Sequence, residues 1–287
     1  MTTILMASDD DIILDSEERE SLCHFSFNHW QNLPQTNKWC KILAEGMRMC
    51  AEYFGSQDPL VGSFSGRSFS SFIDACAQEY RLEHELPVHI GNHGLSHPSS
   101  EGCSVELFPA YFRGSSGASL AYTVPIFKVS RDEEVPLCVW ITAIPDIMKF
   151  INFVNDLLSC PKEILTGEAW NYMTLQTQVK RQAGRLTKYS SKHNKLWTFR
   201  DTVCEMLEEL QRTTLALDHA FTKCIRTGID DCPIGTNDMS SSTQDWKNKI
   251  DQNIESAAHL WMSFKYGYIS LHLNSSRYGL EPIAFGG

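Results

Sequence analysis

The string Asn155-Asp156-Leu157-Leu158-Ser159-Cys160-Pro161-Lys162-Glu163 sets an amide, a hydroxyl and a carboxylate at i, i+4 and i+8. On a helix these three side chains line one face. All are oxygen donors, the set that a hard divalent cation such as Mg²⁺ takes. They follow a strongly apolar segment, and polar groups at such a depth need a partner. The other reading is an ordinary helix C-terminus reaching water. Pro161 removes one helical hydrogen bond, so a kink is expected that turns Glu163 off the Asn155–Ser159 face. A second acidic run, Asp9-Asp10-Asp11-Ile12-Ile13-Leu14-Asp15, puts Asp11 and Asp15 four apart with Asp10 beside them. Carboxylates crowded on one helical face repel unless a cation sits between them. The run also reads as an acidic first turn that complements the helix dipole.

Two further features suit an anion. Arg113 stands next to an expected helix break at Gly114–Gly117, where freed backbone groups can face a ligand, and it also reads as a loop arginine. Ser276-Arg277-Tyr278 ends the last expected helix. Arginine clamps phosphate oxygens and a tyrosine hydroxyl adds a hydrogen bond, although an exposed Arg-Tyr pair is common. His89, His93 and His97 are spaced by four, with His84 nearby, but Gly91, Gly94 and Pro98 interrupt them, so a solvated loop is expected rather than a zinc site. The basic run Lys180, Arg181, Arg185, Lys188, Lys192 and Lys195 reads as a solvated helix face and loop, or as a cover for a bound diphosphate. No Ser/His/Asp or Cys/His arrangement asks for a nucleophile.

The elements that must position these residues are helical. Apolar positions recur at helical spacing over 2–30, 36–54, 67–84, 105–125, 135–160, 198–226 and 243–276, with a basic helical stretch over 169–190. Pro34 and Gly55 end the first two, Pro145 is expected to kink the apolar fifth, and loops are expected at 87–103 and 227–242. No strand-like alternation persists, so the expectation is one all-α domain over 1–287.

Composition sets limits. The chain has 287 residues, 42% of them apolar, and can bury a sizeable core. Twenty-five Lys and Arg stand against 35 Asp and Glu, and the net charge of -10 argues against a nucleic-acid or general polyanion binder. A metal-bound diphosphate remains compatible with an acidic chain. Mean hydropathy is -0.26, and no run is read as approaching the ~18 apolar residues of a membrane helix. The start MTTILMASDDD lacks a basic region before its apolar residues, so no signal peptide and a cytoplasmic protein are expected. The ten cysteines are scattered singly and read as reduced thiols in the core.

Together, DDIILD at 10–15, FRGSSG at 112–117, NDLLSCPKE at 155–163 and YGYISLHLNSSRYGL at 266–280 resemble the class I terpene cyclases, most closely the trichodiene synthase-like fungal sesquiterpene synthases. Their order and spacing also agree, over essentially the whole chain. The resemblance implies a class I terpenoid synthase helical barrel, N-terminally short because little chain precedes the aspartates. It implies three Mg²⁺ ions, two held by the aspartate-rich motif of Asp10, Asp11 and Asp15 and the third by Asn155, Ser159 and Glu163. Either Asp9–Asp10 or Asp10–Asp11 leads that motif. Arg113, Lys162, Arg277 and Tyr278 correspond to residues that hydrogen-bond the diphosphate, and Tyr268 to one that lines the hydrocarbon pocket. The implied activity is Mg²⁺-dependent ionisation of farnesyl diphosphate and cyclisation of the carbocation, with a homodimer and no membrane or nucleic-acid partner. The alternative expectation is a truncated, catalytically inactive relative that binds prenyl diphosphate or a partner.

Overall fold

The structure is a computed structural model and describes residues 16–84, 106–166, 171–186, 197–224, 241–276, 278 and 280. Among these residues the chain is all-α; an isolated bridge between Lys128 and Glu134 is the nearest thing to a strand pair. The helices are α1 (Ser16–Leu22), α2 (Phe25–Trp30), α3 (Lys38–Phe54), α4 (Pro59–His84), α5 (Phe108–Ser115), α6 (Ala118–Ile126), α7 (Leu137–Trp140), α8 (Ile144–Thr166), α9 (Tyr172–Leu186), α10 (Phe199–His219) and α11 (Ser241–Asn274). A 3₁₀ turn, Ile141–Ala143, leads into α8, and a π turn, Ala220–Cys224, follows α10.

Local chemistry explains the ends that matter. Asn37 caps α3 by accepting the Cys40 N–H, and Gly55 closes it as read from the sequence. Thr198 and Asp201 form a reciprocal capping box at the start of α10. The proline expectations change. Pro145 is the second residue of α8, where its missing N–H has no helical partner to lose, so it starts the helix rather than kinking it. Pro161 lies inside α8, yet the helix runs on to Thr166. Its ring is exposed, on the solvent side of the last turns, where little packing opposes the adjustment.

α8 is the hub. It packs against α6, α10, α11 and α9, and its apolar face supplies Ile147, Phe150, Ile151 and Val154 to the main core. An 18-residue window of Leu137–Thr166 has a mean hydropathy of 1.5, so this stretch is apolar enough to pass for a membrane span, contrary to the reading above. Its apolar side is occupied by the core, which accounts for that composition. A second core joins Leu22, Phe25, Leu43, Met47, Phe69 and Ile73 across α1 to α4. The thiols divide: Cys40 and Cys160 are buried, but Cys138 and Cys204 are exposed, so not all belong to the core. The expected loop at 87–103 and that at 227–242, apart from Ser241 and Ser242, which begin α11, lie outside the described residues, as do most of the histidine cluster and Lys188, Lys192 and Lys195. Lys180 pairs with Glu205 at 2.8 Å, and Arg181 donates to the Trp197 carbonyl.

The helix break between α5 and α6 aims Arg113 at α8. It falls at Ser116–Gly117, while Gly114 stays helical. Gly117 has φ +64°, and a Cβ there would lie 2.5 Å from the Ser68 carbonyl oxygen and 2.7 Å from Ser71 Cβ. Only glycine lets α6 start so close to α4 in this conformation. At Gly114 an added Cβ meets nothing within 4 Å. Gly117→Ala is therefore expected to cost about 2 kcal/mol or more in urea unfolding. Gly114→Ala is expected to leave stability unchanged or raise it by up to about 1 kcal/mol, as the helical preference for alanine dictates.

Candidate active site

α5 and α8 meet through one guanidinium. Arg113, at the last turn of α5, grips Asp156 with both arms of its fork: Nη2 lies 2.8 Å from Oδ1 and Nε lies 3.2 Å from Oδ2. Nη2 also donates to Asn155 Oδ1 at 2.8 Å. One turn on, Ser159 Oγ donates to the Glu163 carboxylate. Glu163 thus stays on the Ser159 face despite Pro161, contrary to the expected swing. Pro161 has no N–H for the Leu157 carbonyl, yet the helix runs on to Thr166.

Asn155, Ser159 and Glu163 therefore share one face of α8, as their spacing predicts, beside the carboxylate of Asp156. Lys162 is half-buried on the adjoining face. Tyr268, from α11, is buried with its hydroxyl donating to the Ile151 carbonyl at 3.4 Å. Tyr278 is buried just beyond α11 and stacks on His272 at 4.7 Å. Asp10, Asp11, Asp15 and Arg277 lie outside the described residues, so their relation to this cluster is not part of the geometry.

Two members were missed by the sequence reading. The sequence reading gives Asp156 no role, but it is the partner of Arg113, and an acid inside a buried helical stretch is the available signal. His272 stands four residues after Tyr268 and reaches Asn155 Nδ2 at 3.2 Å. Nothing in the local sequence marks that contact, which joins positions 117 apart.

The electrostatics follow from burial. Desolvation pushes the Asp156 carboxyl up, and the nearby Glu163 charge adds to it, while Arg113 pulls the other way; the balance stands at about 6. Burial opposes the Arg113 charge, but Asp156, Tyr268 and Glu163 outweigh it and its pKa rises. Burial, then Tyr122, raises Tyr268, so its phenol stays neutral. Burial also pushes the Cys160 thiol up to about 11, with Glu163 and Asp156 adding, which keeps it an inert thiol.

The donor set fits a hard divalent ion. Asn155 Oδ1 and Ser159 Oγ each already face a charged group, Arg113 and Glu163, and all three candidate ligands offer oxygen. Among the described residues no group of three His, Cys, Asp or Glu side chains stands ready for a metal. The α8 triad contains only one of these types, and the aspartate run is not described. A cleft of about 580 Å³ opens elsewhere, beside Asp58, Asp132, Glu133 and Cys138. It is acidic, and none of the expected site residues lines it.

No family model matches the chain. Comparison with known proteins finds terpene synthase BipA of Cochliobolus sativus, 31% identical over 159 residues, covering 55% of this chain and 44% of that protein. The (E)-beta farnesene synthase of Metarhizium brunneum is 25% identical over 286 residues, covering 98% of this chain and 66% of the relative. Terpene synthase 29 of Postia placenta is 27% identical over 176 residues, 61% of this chain and 38% of its own. The chain spans about half the length of the relatives it matches.

A pH test follows from Asp156. Its folded pKa lies above the ordinary 3.8, so between 3.8 and about 6 the folded protein holds a proton that the unfolded chain has lost. Stability contributed by the protonated group is therefore lost as pH rises through that window. In chelator, the thermal midpoint of the wild type is expected to fall relative to that of Asp156→Asn from pH 3.8 to about 6, and to run parallel above it. A wild type that gains on the variant over the same window would mean that Arg113, not burial, controls the carboxylate.

Proposed function

We propose that this chain, a relative of the fungal terpene synthases, is a Mg²⁺-dependent sesquiterpene cyclase that ionises farnesyl diphosphate and cyclises the resulting carbocation, releasing diphosphate. The observation that carries this reading is the convergence of Arg113 with Asn155, Ser159 and Glu163, set against an aromatic core at Tyr268. Asn155, Ser159 and Glu163, with Asp10, Asp11 and Asp15, would hold Mg²⁺, which would supply positive charge to the leaving diphosphate.

The chain's own residues do the rest. An allylic C–O bond breaks heterolytically when the leaving group is stabilised as charge develops on it. Arg113 is a fixed, permanently charged donor able to exchange Asn155 for a diphosphate oxygen while Asp156 keeps its other arm. Lys162, Arg277 and Tyr278 add donors to the same group. The cation left behind must be kept from water and from nucleophiles. Tyr268 packs against Phe264 at 5.2 Å and Tyr122 at 5.6 Å, and its neutral phenol offers a π face without a reactive phenolate.

Incubation of the purified chain with farnesyl diphosphate and Mg²⁺, with volatile products read by gas chromatography and mass spectrometry, tests this. A cyclic fifteen-carbon hydrocarbon is expected, absent in chelator and reduced about 100-fold or more in Asn155→Ala and Glu163→Gln. Farnesol at the no-enzyme level as the sole product would reject the cyclase reading and favour the inactive relative.

A further inference from the structure

His272 lies on α11 four residues after Tyr268, and both of its ring nitrogens are engaged. Nδ1 stands 2.9 Å from the Tyr268 backbone carbonyl oxygen. A carbonyl only accepts, so Nδ1 carries the proton. In the neutral ring Nε2 is then a bare lone pair, and it faces Asn155 Nδ2 at 3.2 Å. An amide nitrogen only donates, so this contact has one sense. The ring has no freedom to turn away: it is 2% exposed, stacked on Tyr278 at 4.7 Å and edge-on to Tyr268 at 4.5 Å.

The Asn155 amide is thus held at both ends. Arg113 holds its oxygen and His272 its nitrogen. The two holds differ once a cation arrives. A guanidinium and a divalent cation repel at one oxygen, so the Arg113 contact is the one given up. Among the described residues, His272 is then the side chain that fixes the sense of the amide. An amide turned by half a rotation about its last bond would present NH₂, which cannot ligate a metal.

We propose that His272 is a positioning residue: it holds the Asn155 amide by its nitrogen so that Oδ1 stays presented to a divalent cation. The inference rests on the Mg²⁺ and prenyl diphosphate reading above, and it concerns how one ligand is aimed.

The test is isothermal titration of inorganic diphosphate into the full chain with excess Mg²⁺. His272→Phe keeps a ring of similar size and loses the lone pair; binding is expected to weaken about tenfold or more. His272→Gln returns an acceptor oxygen near the place of Nε2 and is expected to recover most of that loss, a rescue that a merely space-filling role would not give. Binding lost in Asn155→Ala but unchanged in His272→Phe overturns the role of His272 and leaves the site reading standing. A wild type that binds no diphosphate with Mg²⁺ overturns the site reading, and this inference with it. A second measurement does not depend on the variants folding. Long-range ¹H–¹⁵N correlation spectra of histidine-labelled wild type are expected to report the Nδ1–H tautomer for His272, and the Nε2–H tautomer overturns the proposal.

Discussion

The ion pair between Arg113 and Asp156 is the contact on which the site depends. It takes a charge from the end of α5 and a charge from the middle of α8 and locks them in a two-point fork. Burying two charges costs several kcal/mol of solvation for each, which only good geometry and further hydrogen bonds repay. Asn155 supplies one such bond. The pair is therefore a weak source of stability and a strong source of position. Removing Asp156 would leave the Arg113 guanidinium charged and desolvated, whereas removing Arg113 would push the buried Asp156 carboxyl further toward its neutral form.

That placement requires much of the surrounding fold. The α5–α6 break must occur where it does, and the left-handed Gly117 pressed on the Ser68 carbonyl makes it possible. α8 must be the central helix, with its apolar face filled by α6, α10 and α11, so that its polar face turns toward Arg113. α11 must lie close enough to α8 for His272 to reach Asn155. A buried Lys265, paired with Asp218 at 2.8 Å, ties α11 to α10, and Trp261 donates to the same carboxylate. The aromatic column from Trp140 through Phe127, Phe221, Trp261 and Phe150 to Tyr268 fills the space between these helices.

The helical class and the face shared by Asn155, Ser159 and Glu163 were legible in the sequence because both depend only on local period. The prolines were harder. Pro145 and Pro161 carry the same intrinsic cost, but one begins a helix and the other lies exposed near its end, and neither position is visible without knowing where the helix starts and stops. The Arg113–Asp156 pair and the His272–Asn155 contact join residues 43 and 117 apart. Such pairs depend on which helices pack together, which no periodicity encodes. The apolar run of α8 was similarly ambiguous, since core burial and a membrane span ask for the same composition.

A crystal structure of the full chain soaked with Mg²⁺ and inorganic diphosphate tests the account most directly. The account predicts a cation about 2.1 Å from Asn155 Oδ1, Ser159 Oγ and the Glu163 carboxylate. It also predicts Arg113 drawn off Asn155 and onto a diphosphate oxygen. Diphosphate bound away from α8, with Arg113 still bonded to Asn155 and no cation on the triad, would contradict it.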